Sequence, residues 1–140
     1  MTIREFIADD APQIVSLFKR SVLELGSVFY SKTQVEAWAA RGPTVESVVA
    51  RNADGLVTLV SLNQTDEVVA YAELELNGHI DQVYALPDVA GTGVVSLLYD
   101  DIEKQAHRLG IEKLFTEASE GARRFFVKKG LPKACVVISI

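Results

Sequence analysis

The apolar residues near the start of the chain recur with two different periods. From Ile3 to Ile7 they alternate with polar residues, which is typical of a strand. The next apolar residues recur every three or four positions, and Pro12 and Gly26 suit the first turn and the end of a helix. This stripe predicts a helix along Ile14, Leu17, Phe18, Val22 and Leu25.

The middle of the chain changes from a helical period to a period of two. Ser31 and Gln34 have the spacing of a capping box and predict a short second helix that ends before Gly42. Residues 45–52 are compatible with one further helical turn. Beyond them, alternation and turn residues such as Asn77-Gly78 indicate antiparallel strands. The predicted strands run from Leu56 to Leu62, from Val68 to Leu76 and from Ile80 to Leu86.

The last third of the chain alternates helices with strands. A glycine-containing turn leads into an amphipathic helix that ends at Gly110. We expect a strand from Lys113 to Ala118, a helix from Ser119 to Lys129 and an apolar strand from Ala134 to Ile140. The order of elements predicts an α/β (α+β) fold with a mixed, mostly antiparallel central sheet flanked by helices.

The composition excludes several classes of protein. The 140 residues are 49% hydrophobic and 24% charged, which indicates one packed domain over residues 1–140. No apolar run approaches the roughly 20 residues that cross a bilayer, and the N-terminal residues lack the pattern of a secretory signal, so we expect a cytoplasmic protein. The net charge of −5 argues against a nucleic-acid partner. A single cysteine excludes an internal disulfide or a cysteine-based cluster, and no metal is expected.

The stretch from Tyr84 to Leu98 is the strongest candidate for a binding site. It combines a strand end, a turn with Gly91 and Gly93, and a helix start, where free N–H groups and the helix dipole attract phosphate groups. The two glycines by themselves are equally explained by a tight strand-to-helix turn. The stretch is not a Walker sequence, and it is not a dinucleotide-binding sequence because Ser96 stands at the third glycine.

This stretch resembles the coenzyme A loop of the GCN5-related N-acetyltransferase superfamily, which reads Gln/Arg-x-x-Gly-x-Gly/Ala. Ala90 stands at the first position, Gly93 matches the glycine, and Val95 stands where the family prefers Gly or Ala. The segments Tyr30 to Ala39 and Ala122 to Leu131 are also similar to the family, so the resemblance covers nearly the whole chain. It implies an acyl-CoA N-acyltransferase-like fold with the usual last C-terminal strand missing.

The resemblance implies transfer of an acetyl group from acetyl-CoA to a primary amine of a small molecule or peptide. Backbone atoms of Tyr84, Ala85 and Leu86 would hold pantetheine between two splayed strands. Phe126 stands where the family has a tyrosine that protonates the departing thiolate. The pyrophosphate would lie on the backbone of Ala90, Gly91, Thr92, Gly93, Val94, Val95 and Ser96. The alternative is a degenerate, non-catalytic member that binds acyl-CoA or mediates protein interaction.

Carboxylates on the predicted meander are candidates for the general base. An ammonium group with a pKa near 10.4 must lose a proton before its nitrogen can attack a thioester. Glu73 and Asp81 lie on neighbouring strands close to the predicted cleft, and Glu75 shares a strand face with Glu73. We expect Glu73 and Asp81 to act as the base. A solvated strand face is the alternative explanation for these residues.

The final strand is predicted to leave an apolar edge at Val136 to Ile140. Such an edge presents unpaired N–H and C=O groups that recruit another strand. We therefore expect a homodimer through the C-terminal strand. The alternative is an irregular tail that lies over its own core.

Overall fold

In the part of the chain that the structure describes, six strands form one sheet and are paired in the order in which they occur in the sequence. The computed structural model describes residues 2–89, 91–118, 120–130 and 136–138. The first four strands are paired with one another in antiparallel fashion, whereas the fifth is parallel to the fourth and to the sixth. The predicted mixed, mostly antiparallel sheet is therefore confirmed. The strands are β1 (Thr2–Glu5), β2 (Val57–Leu62), β3 (Val68–Leu74), β4 (His79–Ala85), β5 (Phe115–Ala118) and β6 (Val136–Ile138).

Helices cover the sheet, and none of those in the described ranges is long and apolar enough to span a membrane. Residues 45–52 form more than the single turn expected from the sequence, because Thr44 and Ser47 cap a nine-residue helix reciprocally. The Ser47 N–H donates to Thr44 Oγ1 at 3.1 Å, and the Thr44 N–H donates to Ser47 Oγ at 2.9 Å. The helices are α1 (Ala11–Leu25), α2 (Lys32–Ala40), α3 (Val45–Ala53), α4 (Val94–Arg108) and α5 (Glu120–Lys128).

The sheet separates two apolar layers. Val60 and Tyr71 belong to the layer that contains the buried residues of α1, α2 and α3. Ala72 and Ile80 belong to the opposite layer, together with the buried stripe of α4 and Phe126 of α5. Because helices cover both faces, β3 is buried along its whole length.

The turn between β3 and β4 ends the third strand earlier than predicted. The Glu75 N–H donates to the His79 carbonyl at 2.8 Å, and the Gly78 N–H donates to the Glu75 carbonyl at 2.9 Å. Gly78 has φ +97°, and a Cβ at this position would lie 2.0 Å from the Lys113 carbonyl oxygen. The turn therefore requires glycine at residue 78, and β3 ends at Leu74 instead of Leu76.

A bulge interrupts the ladder between β3 and β4. Glu73 is paired with Gln82, whereas Leu74 is paired with Ile80, so Asp81 is the additional residue of β4. Bulges turn a side chain away from the direction that simple alternation would give it. This irregularity places Asp81 beside Gln82 and opposite Glu73.

The predicted final strand is confirmed for Val136–Ile138, which is parallel to β5. In the described part of the chain β6 is an edge strand of the sheet. The other positions of the predicted strand, 134–135 and 139–140, lie outside the described residues. The homodimer stays a prediction.

Candidate active site

The predicted separation of two neighbouring strands is present between β4 and β5. Among the described residues they are paired only at His79 with Phe115 and at Ile80 with Thr116, and the rest of β4 has no strand partner on this side. Tyr84 is paired with Tyr71 on the other side, and the Leu86 N–H donates to the Val69 carbonyl at 2.8 Å. Backbone groups alternate in direction along a strand, so the N–H and C=O groups of Val83 and Ala85 point into the gap.

A cavity of about 390 Å³ opens at this gap. One side, here called the sheet wall, comes from β4, the start of α4 and the helix α5. The sheet wall consists of Val83, Tyr84, Ala85, Val95, Phe125 and Phe126. The opposite side, here called the helix wall, comes from α1, the segment after it and α2. The helix wall consists of Ser21, Leu25, Val28, Phe29, Tyr30 and Trp38.

The turn before α4 borders the same cavity through Gly91. Gly91 has φ +79° and Gly93 has φ +89°, a left-handed conformation that favours glycine. A Cβ added at either residue would meet no heavy atom within 4 Å, so the space beside the turn is open. Thr92 stabilises the turn, because its hydroxyl donates to the Val89 carbonyl at 2.6 Å.

The first turn of α4 directs backbone N–H groups toward this open space. The first hydrogen bond of α4 runs from the Leu97 N–H to the Gly93 carbonyl at 3.1 Å. Gly93 is the N-cap residue, and as a glycine it has no side chain that could cap the helix. Within the described part of the chain, the first-turn amides of Val94, Val95 and Ser96 are available to an anion, because they precede the first hydrogen bond of the helix, and the helix dipole favours a negative charge.

A cation lies beside the start of α4. Lys129 Nζ donates to Ser96 Oγ at 3.0 Å and to Asp100 Oδ1 at 2.6 Å, and it lies 5.4 Å from the centroid of the Tyr99 ring. No local pattern predicts this contact, because Lys129 comes from the end of the predicted α5 region, 33 positions after Ser96. The ammonium group is partly neutralised by Asp100, and its contact with Ser96 joins the end of α5 to the start of α4.

Tyr84 joins the sheet wall to the helix wall. Its ring contacts those of Phe18, Trp38 and Tyr71, with centroid separations of 4.8, 6.3 and 5.9 Å. Burial raises the pKa of the Tyr84 hydroxyl to about 12, although the hydrogen bond with the Trp38 indole opposes this shift. Tyr84 is therefore neutral at physiological pH and fixes the position of Trp38.

Glu73 and Asp81 are brought together by an arginine of α3. Arg51 lies 3.5 Å from Glu73 Oε2 and 2.6 Å from Asp81 Oδ2. Burial raises the pKa of Glu73 to about 7; Arg51 opposes this shift, while Asp81 and Glu75 reinforce it. The solvated strand face that was the alternative explanation is wrong for Glu73, which is 2% exposed.

Neither of the two carboxylates lines the cavity, so their role as the base stays a prediction. They belong to a polar row on the face of the sheet that α1 and α3 cover. Gln82 is opposite Glu73 and accepts a hydrogen bond from the Tyr71 hydroxyl at 2.5 Å, and Tyr71 is next to Tyr84. Tyr71 therefore lies between Gln82 of this row and Tyr84, which lines the cavity.

His79 forms a separate polar group at the closed end of the gap. Its Nδ1 lies 2.6 Å from Glu75 Oε1, its Nε2 lies 3.7 Å from Glu117, and its ring stacks on Phe115 at 5.1 Å. Glu75, His79 and Asp81 offer atoms within 4.8 Å of one another, a spacing that suits metal ligands. The short contact of His79 with Glu75 joins the β3–β4 turn to the base of the gap.

The residues predicted to hold a cofactor fall into four sets. Those that line the cavity are Tyr84, Ala85, Gly91, Val95 and Phe126. Those that form the turn and the helix start are Thr92, Gly93, Val94 and Ser96. Leu86 has its N–H engaged by β3, and Ala90 lies outside the described residues. The prediction missed Val83, because the direction of its backbone depends on the register of β4, and it missed most of the helix wall.

Comparisons with known proteins agree with this geometry. A family model for the acetyltransferase (GNAT) domain matches residues 29–133. The solved structure of a GCN5-related N-acetyltransferase, "Aminotransferase, Class-II", from Rhodopseudomonas palustris is 33% identical over 92% of this chain and 79% of that chain, with a TM-score of 0.84. No curated protein sequence matches significantly.

Two more distant structures share the fold. The PaiA N-acetyltransferase from Thermoplasma acidophilum, in complex with coenzyme A, is 16% identical over 92% of this chain and 87% of that chain, with a TM-score of 0.80. A phosphinothricin acetyltransferase from Sinorhizobium meliloti, in complex with AcCoA, is 19% identical over 92% and 73%, with a TM-score of 0.71. With the family model and the Rhodopseudomonas structure, these findings show that the chain belongs to the GCN5-related N-acetyltransferase (GNAT) superfamily.

Proposed function

We propose that the protein transfers an acetyl group from acetyl-CoA to a primary amine. The observation that carries this proposal is the gap between β4 and β5, because unpaired strand backbone, free helix amides and an apolar cavity meet there. The complexes of the Thermoplasma protein with coenzyme A and of the Sinorhizobium protein with AcCoA support it.

The cofactor occupies the gap as an additional strand. Backbone groups of Val83 and Ala85 hold pantetheine, and the amides of Val94, Val95 and Ser96 bind the pyrophosphate. The open space at Gly91 and Gly93 lets the phosphates approach the backbone closely. Phe125 and Phe126 exclude water from the thioester end of the molecule.

The reaction forms a bond between the amine nitrogen and the acetyl carbon and breaks the carbon–sulfur bond. Glu73 takes the proton of the ammonium group through water, and its pKa of about 7 matches the pH at which a base is needed. Arg51 lies between this carboxylate and that of Asp81 and holds both in place. When the tetrahedral adduct collapses, the nitrogen gives its second proton to solvent and the thiolate leaves without a tyrosine donor, because a thiol with a pKa near 8.5 is a fair leaving group.

Calorimetry with acetyl-CoA and with coenzyme A, followed by a free-thiol assay with a panel of amines, tests the proposal. We expect both molecules to bind and thiol release to depend on the amine. Absence of binding would contradict the proposal.

A second candidate function is a non-catalytic member of the family that binds acyl-CoA or mediates protein interaction. It is favoured by Phe126, whose side chain cannot donate a proton, and by Val95 at a position that favours a small residue. Binding of acetyl-CoA without thiol release by any amine would support this candidate over acetyl transfer.

A further inference from the structure

No charged side chain lines the cavity among the residues that the structure describes. Every described residue that lines it is apolar, aromatic, glycine or a neutral hydroxyl-bearing residue. In the proposed function the sheet wall holds the cofactor, which leaves the helix wall to contact the acceptor. Its polar side chains are limited to Ser21, Tyr30 and Trp38.

Several aromatic rings enclose this space. Trp38 contacts Tyr30 edge-on, with centroids 5.9 Å apart, and lies 6.3 Å from Tyr84. On the opposite side Phe125 and Phe126 contact each other edge-on at 5.3 Å. Rings held in this way favour planar or branched apolar groups, which gain burial and ring contacts.

The rim of the cavity is apolar as well. Val28 is 72% exposed and Phe29 is 56% exposed, although both line the cavity. A second ammonium group or a carboxylate that enters the cavity would lose its hydration without finding an opposite charge among the described lining residues. The same environment lowers the pKa of a single ammonium group, which increases the fraction of free amine.

We propose that the acceptor is a small monoamine with an uncharged, aromatic or branched apolar body, such as an arylalkylamine. This inference rests on the proposed function and narrows its substrate. It excludes polyamines, free amino acids and peptide N-termini that carry a carboxylate or a second cation near the amine. Trp38 and Phe29 are its specificity-determining residues.

Matched pairs of amines separate charge from size. Phenethylamine and phenylalanine differ by a carboxylate, and hexylamine and hexamethylenediamine differ by a second amine. The assay uses the full chain and saturating acetyl-CoA and measures kcat/KM from thiol release. We expect kcat/KM to be about 100-fold higher for phenethylamine and for hexylamine than for their partners with a second charge, because burying an unpaired charge is costly.

Fluorescence provides a readout that does not depend on turnover. Trp38 is the single tryptophan of the chain, so its emission reports directly on the cavity. In the presence of coenzyme A, phenethylamine should change this emission at a concentration about 100-fold lower than phenylalanine does. The wild type needs no label for this measurement.

A charge placed on the rim tests the role of the apolar wall. Phe29→Asp should lower kcat/KM for phenethylamine and raise it for hexamethylenediamine, because the carboxylate offers a partner to the distant ammonium group. Leu76→Asp is the matched control, since Leu76 is 59% exposed and lies outside the cavity. It should leave both values unchanged.

The outcomes distinguish the two proposals. Equal or better turnover of the diamine and of phenylalanine would overturn the acceptor class and leave acetyl transfer intact. If no amine releases thiol, the proposed function fails, and the fluorescence titration still decides the acceptor class. Equal fluorescence responses to phenethylamine and phenylalanine, or none to either, would overturn that class.

Discussion

Glu73 is the side chain whose environment differs most from that of a free amino acid. It is 2% exposed and its pKa is raised to about 7 by burial, while Arg51 limits the shift. Between about pH 4.5 and pH 7 the folded protein keeps a proton that the unfolded chain has released. The free energy of unfolding therefore falls as the pH rises through this window.

Replacing this carboxyl group should remove that dependence. From pH 4.5 to pH 7 the Glu73 contribution to the free energy of unfolding falls by roughly 3 kcal/mol, and Glu73→Gln stays neutral at every pH. We expect the variant to gain stability relative to the wild type as the pH rises, as measured by urea denaturation at pH 5 and pH 8. Glu36→Gln is the control, because Glu36 is exposed. Parallel pH dependence of Glu73→Gln and the wild type would contradict the assigned pKa.

The same residue should determine the acidic limb of the rate profile. If Glu73 takes the proton of the ammonium group, kcat/KM falls below about pH 7 and Glu73→Gln loses about 10² to 10⁴ in rate at neutral pH. Thiol release across pH 5.5 to 9 measures both effects. An unchanged acidic limb in the variant would leave Glu73 with only a structural role beside Arg51.

Phe126 lies at the family's tyrosine position, and it lines the cavity while being 3% exposed. Phe126→Tyr should raise the transfer rate about tenfold or more, provided that the new hydroxyl reaches the cofactor sulfur. Thiol release and acetyl-CoA affinity are measured together. Intact affinity without a gain in rate would show that the reaction does not need this donor.

At the scale of elements, two glycines in the left-handed conformation flank α4, one before its first residue and one after its last. Gly93 and Gly110 have φ +89° and +73°, and neither has a heavy atom near an added Cβ. Asp at residue 93 would place a carboxylate at the helix amides and repel phosphate groups. We expect Gly93→Asp to weaken acetyl-CoA binding at least tenfold, measured by calorimetry, and Gly110→Asp to leave it within twofold.

Equal losses of affinity in the two variants would mean that strain in α4, and not the position of the phosphates, controls binding. Thermal melting of both proteins keeps the comparison valid, because an Asp at the C-terminal end of a helix opposes its dipole. Affinities are compared at a temperature at which both variants are folded.

Local patterns predicted most elements but not the side-chain network between them. The apolar stripes of α1 and α4 depend on neighbours three or four positions away, so periodicity was sufficient for both. The burial of Glu73 depends on Arg51, which belongs to a helix that the sequence indicated only as a single turn. The direction of the Val83 backbone depends on a bulge at Asp81 that alternation does not reveal.

At the scale of the whole molecule, the resemblance to the family predicts that two neighbouring strands separate and form the gap. The glycine turn and the strand before it are contiguous in sequence, so the motif predicts the part of the sheet wall that comes from β4 and the start of α4. The helix wall comes from residues 21–38, where exposed apolar residues such as Val28 and Phe29 had no assigned partner. Only the packing of α1 against β4 shows that they share a cavity with Phe126.

In the described part of the chain β6 is an edge strand, and an edge strand can pair with that of a second copy. The homodimer is therefore a prediction about the whole molecule. Light scattering at micromolar concentration should give twice the chain mass of 15.3 kDa. A mass of 15.3 kDa across a concentration series would contradict association through this strand.

The most direct test is a crystal structure of the protein with acetyl-CoA. We expect pantetheine between β4 and β5, bonded to the backbone of Val83 and Ala85, and the pyrophosphate on the amides of Val94, Val95 and Ser96. A cofactor bound outside this gap, or a gap that stays empty at saturating acetyl-CoA, would contradict the proposed function.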